Sequence, residues 1–393
     1  MNGPIGRRVA YWRGRRNMSQ QQFADRLGKS KSWVDKVERG VRSLDRVSVI
    51  HDVAAVLALD PDTLLAGAGR PEPASPSEAA QSPAETADAV QAVRAALTRH
   101  PALTTHPTTP APDPDRYRTR TAHANAAYEH GRYGMLLGLL PDLLHDSHRT
   151  EIDQRVQTYR LTTLALVKLG ATDLAWLTAD RGLAIAASTD DPLLAALATA
   201  PLGQALRAAG RHRHAFETTI IGAHQIAPLS NSEGTPAERA ACVTLLLQAA
   251  LAAAEGHDPP TVAELLDDAH EMTGPAGPER AAVEATRVAA AAALGEGRRA
   301  VDLHEALTAG PGWPLLTLEH RAAHLVDVTP AYVRSGDPAG AGRALLTADR
   351  LVPAEVRVRP AGRAALAGVL TAQDRPDPHL LALANAAGVG GVR

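Results

Sequence analysis

The segment SQQQFADRLGKSKSWVDKVERG, residues 19–40, decides how the chain begins. Ser19 followed by Gln22 is a capping box, so a helix is expected to open there with Phe23, Ala24 and Leu27 on its inner face. Gly28 makes a tight turn. Ser30 starts a second short helix, in which Val34 and Val37 are spaced to pack on the first, and Gly40 ends it. Two short helices joined in this way are a helix-turn-helix. In such a motif the second helix lies in the major groove of duplex DNA while the first crosses the backbone. With Val34 and Val37 turned inward, Lys31, Ser32 and Asp35 share the opposite face and are the expected base-contacting residues. Lys31 donates to guanine, Asp35 accepts from cytosine N4, and Ser32 suits several base edges. Gln20, beside the positive end of the first helix, is expected on a phosphate, as are Lys29, Lys36, Arg39 and Arg42.

Charge is distributed to match. The formal net charge over 393 residues is -2. Residues 1–44, however, hold eleven cations and three acids, a net +8, and the remainder carries -10. Clustered cations at one end are what phosphate neutralisation requires, although a solvated arginine-rich surface has the same composition.

Hydrophobic residues make up 45% of the chain but aromatic ones only 3%. A core built from Ala, Leu and Val favours helix, so an all-α protein of two or three units is expected. The single cysteine, Cys242, excludes an internal disulfide and a multi-thiolate zinc site, which suits a reducing cytoplasm. The first twenty residues carry arginines where a signal peptide would be apolar, so none is expected. The longest apolar run, Val243 to Ala254, is interrupted by Thr244 and Gln248 and is shorter than the ~20 residues a bilayer needs. No membrane span is therefore expected.

Along the chain, residues 1–66 read as the helix-turn-helix domain and residues 67–115 as a Pro/Ala-rich linker. The linker holds one short helix over 83–99, with Ser82, Pro83 and Glu85 as its start and Val90, Val93 and Leu97 as one apolar stripe. That stripe has three candidate partners: the domain on either side of it, or a second copy of itself. From residue 116 to 393 the chain repeats helix, Gly turn, helix. Turn glycines fall at Gly131, Gly170, Gly210, Gly256, Gly295 or Gly297, and Gly336, and Ala175, Ala215, Ala300 and Ala341 each follow a turn glycine by five residues. A period near forty marks stacked helical hairpins, about six or seven of them, whose neighbours complete one another's cores.

The N-terminal residue combination, Ser-Gln, Phe-Ala, Leu-Gly and Val-Glu-Arg-Gly at these spacings, resembles the Xre-type, phage-repressor-like helix-turn-helix family over about 60 residues. The resemblance implies a lambda-repressor-like five-helix domain. Helix one would contain Val9 to Trp12, helix four Val47, Ile50, Val53 and Leu57, and helix five Leu64 and Leu65 after Asp60 and Pro61. It also implies a structural pair between Glu38 and Arg13. The hairpins resemble tetratricopeptide repeats in their turns, and are longer than the 34 residues of that repeat. The whole chain resembles Xre-type regulators of high-GC Gram-positive bacteria, in which a TPR-like region follows the DNA-binding domain. The stretch Ala348 to Arg357 is similar to the last hairpins of that group. A bacterial, cytoplasmic transcription regulator is what the resemblance implies.

If the turn glycines are aligned with those of tetratricopeptide repeats, Arg118, Asn125, Gln157, Arg160, Gln204 and Arg207 face the concave side. Later hairpins then place mostly Ala, Leu and Val there. Such a cradle suits a short peptide or small amphipathic effector, and the resemblance to peptide-sensing regulators points the same way. The same side chains are also placed to pair with acids on neighbouring helices. One small DNA-binding domain buries little DNA surface, so a homodimer on an inverted repeat is expected, with half-sites about one helical turn apart. The competing reading is an interaction scaffold whose small domain serves assembly.

Other signals are weak. Gly28-Lys29-Ser30 matches the end of a phosphate-binding loop, but Phe23 stands where that loop needs glycine. His320 and His324 are one helical turn apart without an evident third metal ligand, and His212 and His214 read as a solvated basic patch. Trp33 is read as packing rather than stacking on DNA. No nucleophile, base or carboxylate arrangement suggests an enzyme, and no cofactor or metal is expected.

Overall fold

The computed structural model describes residues 6, 9–10, 12–13, 18–39, 53, 56–57, 82–99, 111–226, 234–373 and 375–389. Regular elements among them are all helical. The chain forms two compact units, residues 1–79 and 80–393.

In the first unit, helix α1 spans Gln20–Leu27 and α2 spans Lys31–Glu38. The Ser19 hydroxyl accepts the Gln22 amide N–H, and the Gln22 side chain accepts the Ser19 N–H at 2.9 Å, closing the capping box. Gly28 is left-handed at φ 62°, a conformation that glycine adopts without steric cost, and it turns the chain between the helices. Ser30 caps α2 through the Trp33 N–H. Phe23, Ala24, Val34 and Val37 form the core with Val9, Val53 and Leu57, and Trp12, Leu27 and Trp33 pack at its edge. Trp33 thus has the packing role. Tyr11, Arg42, Val47, Ile50, Leu64 and Leu65 lie outside the described residues.

The second unit opens with α3 (Pro83–Thr98). Hairpins follow: α4 (Pro114–Glu129) with α5 (Tyr133–Ser147), α6 (Ile152–Lys168) with α7 (Thr172–Ala186), and α8 (Pro192–Ala208) with α9 (His212–Ile226). Next come α10 (Pro236–Glu255) with α11 (Pro259–Glu271), α12 (Pro278–Ala293) with α13 (Gly297–Ala309), and α14 (Leu318–Arg334) with α15 (Pro338–Leu351). A short α16 (Pro353–Arg357) leads to α17 (Pro360–Ala372) and α18 (Pro378–Ala386).

The repeat is set by its turns. Gly131, Gly170, Gly210, Gly295 and Gly336 all have positive φ. At each, the next residue's N–H reaches the carbonyl five positions back, as from Arg132 to Ala127 and from Ala171 to Leu166, which is the Schellman closure of a helix end. The structure settles the choice between Gly295 and Gly297 for Gly295. It also moves the fourth turn by one residue: Gly256 is right-handed, and His257 takes the left-handed place at φ 59°. Ala175, Ala215, Ala300 and Ala341 are fully buried, where a methyl group allows the two helices of each hairpin to approach.

Helix α3 starts at Ser82 with the capping box to Glu85. Its stripe of Val90, Val93 and Leu97 joins the core of the first hairpins, packing on α5, so the partner is the repeat region. Arg94 pairs with Asp173 at 2.9 Å, and Arg181 donates to the Leu97 carbonyl at 3.0 Å. Helix α10 has 20 residues and is apolar enough by composition to cross a bilayer, longer than the interrupted run read from the sequence. Its residues fill the central core between α8 and α12, which is the signature of a core helix.

Candidate nucleic-acid interface and interior polar clusters

Burial of Val34 and Val37 turns the opposite side of α2 outward. Lys31, Ser32 and Lys36 are exposed there, with Lys29 on the preceding turn and Arg39 at the helix end, and Asp35 is half-buried. Asp35 pairs with Arg39 at 2.5 Å. Gln20 is turned toward the protein, donating to Glu38 Oε2 at 2.7 Å. Glu38 is the anchor: Arg13 grips it with Nε on Oε1 at 2.6 Å and Nη2 on Oε2 at 3.1 Å. Arg13 Nη1 also holds the Met18 carbonyl at 2.6 Å, just before α1 begins. The pair implied by resemblance is therefore present, and it fixes α2 against the start of α1.

The six concave-side candidates separate into groups. Asn125, Gln157 and Arg160 come together: Arg160 donates to Gln157 Oε1 at 2.9 Å and to Asn125 Oδ1 at 3.1 Å, while Asn125 donates to Glu129 at 2.7 Å. Burial lowers the Arg160 pKa, against the smaller opposite effect of Tyr128 and Glu129 nearby. Arg207 belongs elsewhere, bonded to Glu255 at 2.7 Å and Gln248 at 3.0 Å, with His212 on the same carboxylate at 2.8 Å. Arg118 is exposed and paired with Asp115 one turn away, and Gln204 is half-buried on α8. Gln248, Glu255 and Glu319 of later hairpins supply polar partners to the earlier ones.

Two buried clusters had no signal in sequence. Glu355 on α16 is fully buried, hydrogen-bonded by Tyr133 from α5 and paired with Lys168 at 3.1 Å and Arg359 at 3.0 Å. Lys168 also pairs with Glu319, and Arg359 reaches Asp327 at 2.9 Å. Burial raises the Glu355 pKa, and the charges of Lys168 and Arg359 outweigh it and hold the carboxyl below its ordinary value. In the second cluster His304 Nδ1 lies 2.9 Å from His324 Nε2, the two rings stacked with Trp313 and Tyr332 edge-on to them. His324 thus meets His304 rather than His320. No group of three metal-ligating side chains occurs among the described residues.

Fold and site define an all-α protein in which a helix-turn-helix domain precedes a region of stacked helical hairpins. Residues 4–66 match the family model of a helix-turn-helix domain. Among solved structures, PlcR of Bacillus thuringiensis, in complex with the peptide PapR7 and DNA, is similar at 12% identity, over 68% of this chain and 93% of that one, with a TM-score of 0.35. BtubC (BKLC) from P. vanneervenii is similar at 17% identity, over 67% and 94%, with a TM-score of 0.36. A point mutant of PrgX is similar at 12% identity, over 84% and 95%, with a TM-score of 0.31. No curated protein matches significantly.

Proposed function

We propose that the protein is a non-enzymatic, sequence-specific DNA-binding transcription regulator acting in the cytoplasm. Residues 1–66 serve as its DNA-binding domain, residues 67–115 as the linker carrying α3, and residues 116–393 as the effector-binding and dimerising region. The carrying observation is the outward face of α2: Lys31 and Ser32 stand exposed at its N-terminal end while Val34, Val37 and Glu38 fix its other side. N-terminal residues of a second helix held this way are those that reach base edges. The Asp35–Arg39 pair is exposed and one turn apart, worth about 0.3–0.5 kcal/mol, so exchanging it for cytosine and phosphate costs little. A homodimer on an inverted repeat supplies the DNA contact area that one such domain lacks. As effector we favour a molecule with an anionic group, for which Arg160, half-buried beside the amides of Gln157 and Asn125 and near Glu129, offers a positive charge.

Lys31→Ala is expected to weaken binding at the preferred site by about 1–3 kcal/mol and to relax base choice at one position. Arg39→Ala is expected to weaken all duplexes alike. Site selection by sequencing, followed by titration of the selected and a scrambled duplex, separates the two. Unchanged affinity and unchanged base preference in both variants would remove α2 from the interface.

A further inference from the structure

A threonine inside a helix satisfies its hydroxyl most simply by donating to the carbonyl one turn back. Among the described residues, every buried threonine but one does so, as Thr121 does to Tyr117 at 3.1 Å and Thr329 to Leu325 at 2.9 Å. Thr86 is the exception. It is 6% exposed and lies in the first turn of α3, where the Ser82 carbonyl stands one turn back and accepts the Thr86 N–H at 3.0 Å. The Thr86 hydroxyl nevertheless has no hydrogen-bond partner. A buried hydroxyl left in this way is destabilising and calls for an explanation.

Thr86 lines a cleft of about 430 Å³. Helix α3 forms one wall, with Val90 one turn beyond Thr86, and the α6–α7 turn and the start of α17 form the others. The last two already touch, because a Cβ on Gly170 would lie 3.1 Å from Pro360 Cγ. The cleft therefore exists without any movement of the helices. Arg94 and Asp173, both in its lining, pair at 2.9 Å and cancel one another's charge. Arg363, which lines the α17 side, is different. Arg357 and Arg359 before it hold Asp349 and Asp327, whereas Arg363 reaches only the Gly388 carbonyl, at 3.4 Å, and its Nε is buried without a hydrogen-bond partner. One cleft thus gathers two unused donors and one positive charge that no acid balances.

We propose that this cleft binds a small monocarboxylate with a compact apolar body. Both unused groups are donors, so the ligand must bring acceptors. A single guanidinium without an acid matches one negative charge, and a carboxylate is the acceptor its geometry suits. A phosphate dianion would leave excess charge in the cleft, which is costly. Val90, Val358 and Pro360 give the body of the acid an apolar surface. The volume lies at the low end of the roughly 300–1,000 Å³ of ligand pockets, which suits a compact acid rather than a peptide. Thr86 Oγ1 and Arg363 Nε lie just behind the lining, and side-chain rotations of the kind common on binding bring them to the ligand. This site shares no residue with the cluster at Arg160. It goes beyond the effector reading given above and is independent of DNA binding.

Calorimetric titration of the full-length protein with benzoate, phenylacetate and hexanoate tests it. At least one of these acids is expected to bind saturably, about tenfold or more tighter than its uncharged amide. Arg363→Gln is expected to weaken that binding about tenfold or more, and Thr86→Val, which keeps the shape and removes the hydroxyl, about three- to tenfold. Without ligand, Thr86→Val is expected to melt at a higher temperature than the wild type, because a buried hydroxyl without a partner is gone. A lower melting temperature would show that the hydroxyl is already bonded and would overturn its role. No saturable binding by any of the three acids overturns the site, as does binding that both variants leave unchanged. Binding lost in Arg160→Gln and kept in Arg363→Gln overturns it too, by moving the acid to the other cluster. Displacement of the acid by an equal concentration of inorganic phosphate would overturn the choice of a carboxylate.

Discussion

Glu38→Ala is expected to abolish DNA binding by unfolding the first unit, although Glu38 faces away from the proposed DNA surface. Its carboxylate side chain is 7% exposed and accepts from Arg13 twice and from Gln20 once. Removing it strands a guanidinium that is itself 17% exposed and releases the tie to the Met18 carbonyl. Breaking a buried pair from one side costs about 3–5 kcal/mol, and the partial exposure of the arginine lowers this to roughly 2–4 kcal/mol. A domain of this size holds only about 3–5 kcal/mol in its core, so the variant is expected to be largely unfolded there. Calorimetry of the full chain is expected to lose or strongly lower the transition of the first unit and keep that of the second. An unchanged first transition would make the Arg13–Glu38 pair a surface ornament.

Acid is expected to destabilise the second unit between pH 7 and 5, a range in which ordinary carboxylates stay ionised. Burial lowers the His304 pKa to about 4, and burial with the neighbouring charges of His304 and His320 lowers that of His324 to about 3. Both values lie below the 6.5 of an unfolded chain, so the unfolded state binds more protons throughout this window. Stability is therefore fully present above about pH 6.5 and is lost as pH falls toward the folded values. At pH 5 the loss is on the order of 2 kcal/mol per histidine. His148 and His320 are shifted in the same direction by burial, so the wild type alone does not isolate the pair. The double variant His304→Phe, His324→Phe keeps the aromatic stack against Trp313 and removes both protons. Urea midpoints are expected to fall steeply as pH is lowered from 7 to 5 in the wild type and much less in the variant. Parallel slopes would show that the pair is not the source of the acid sensitivity.

Much of this was legible in the sequence because it rests on local chemistry. Ser19 with Gln22, Ser82 with Glu85, Gly28, and the turn glycines with their alanines five residues later each act within one or two helical turns, where spacing determines geometry. Resemblance supplied Arg13–Glu38, which links residues 25 apart and has no local signature. The fourth turn was misplaced by one residue because glycine is the usual occupant of the left-handed site, and here His257 takes it beside Gly256. Long-range polar partners were illegible because no spacing encodes them: Arg207 and Glu255 meet across the packed helices α8 and α10, and Tyr133 and Glu355 are 222 residues apart. Arginine on a concave face read as ligand-binding from sequence alone, and for Arg207 the structure supplies an acidic partner.

The most direct test of DNA recognition through α2 is the affinity of the purified full-length protein for its selected duplex, measured across a range of salt concentrations. Each phosphate neutralised by a cation contributes about -0.9 to the slope of log affinity against log salt. Lys29, Lys36, Arg39 and Arg42 from each of two protomers give an expected slope of about -7, together with a scrambled duplex bound at least a thousandfold more weakly. Affinity that is independent of salt, or equal for the selected and scrambled duplexes, would contradict sequence-specific DNA binding by this helix-turn-helix.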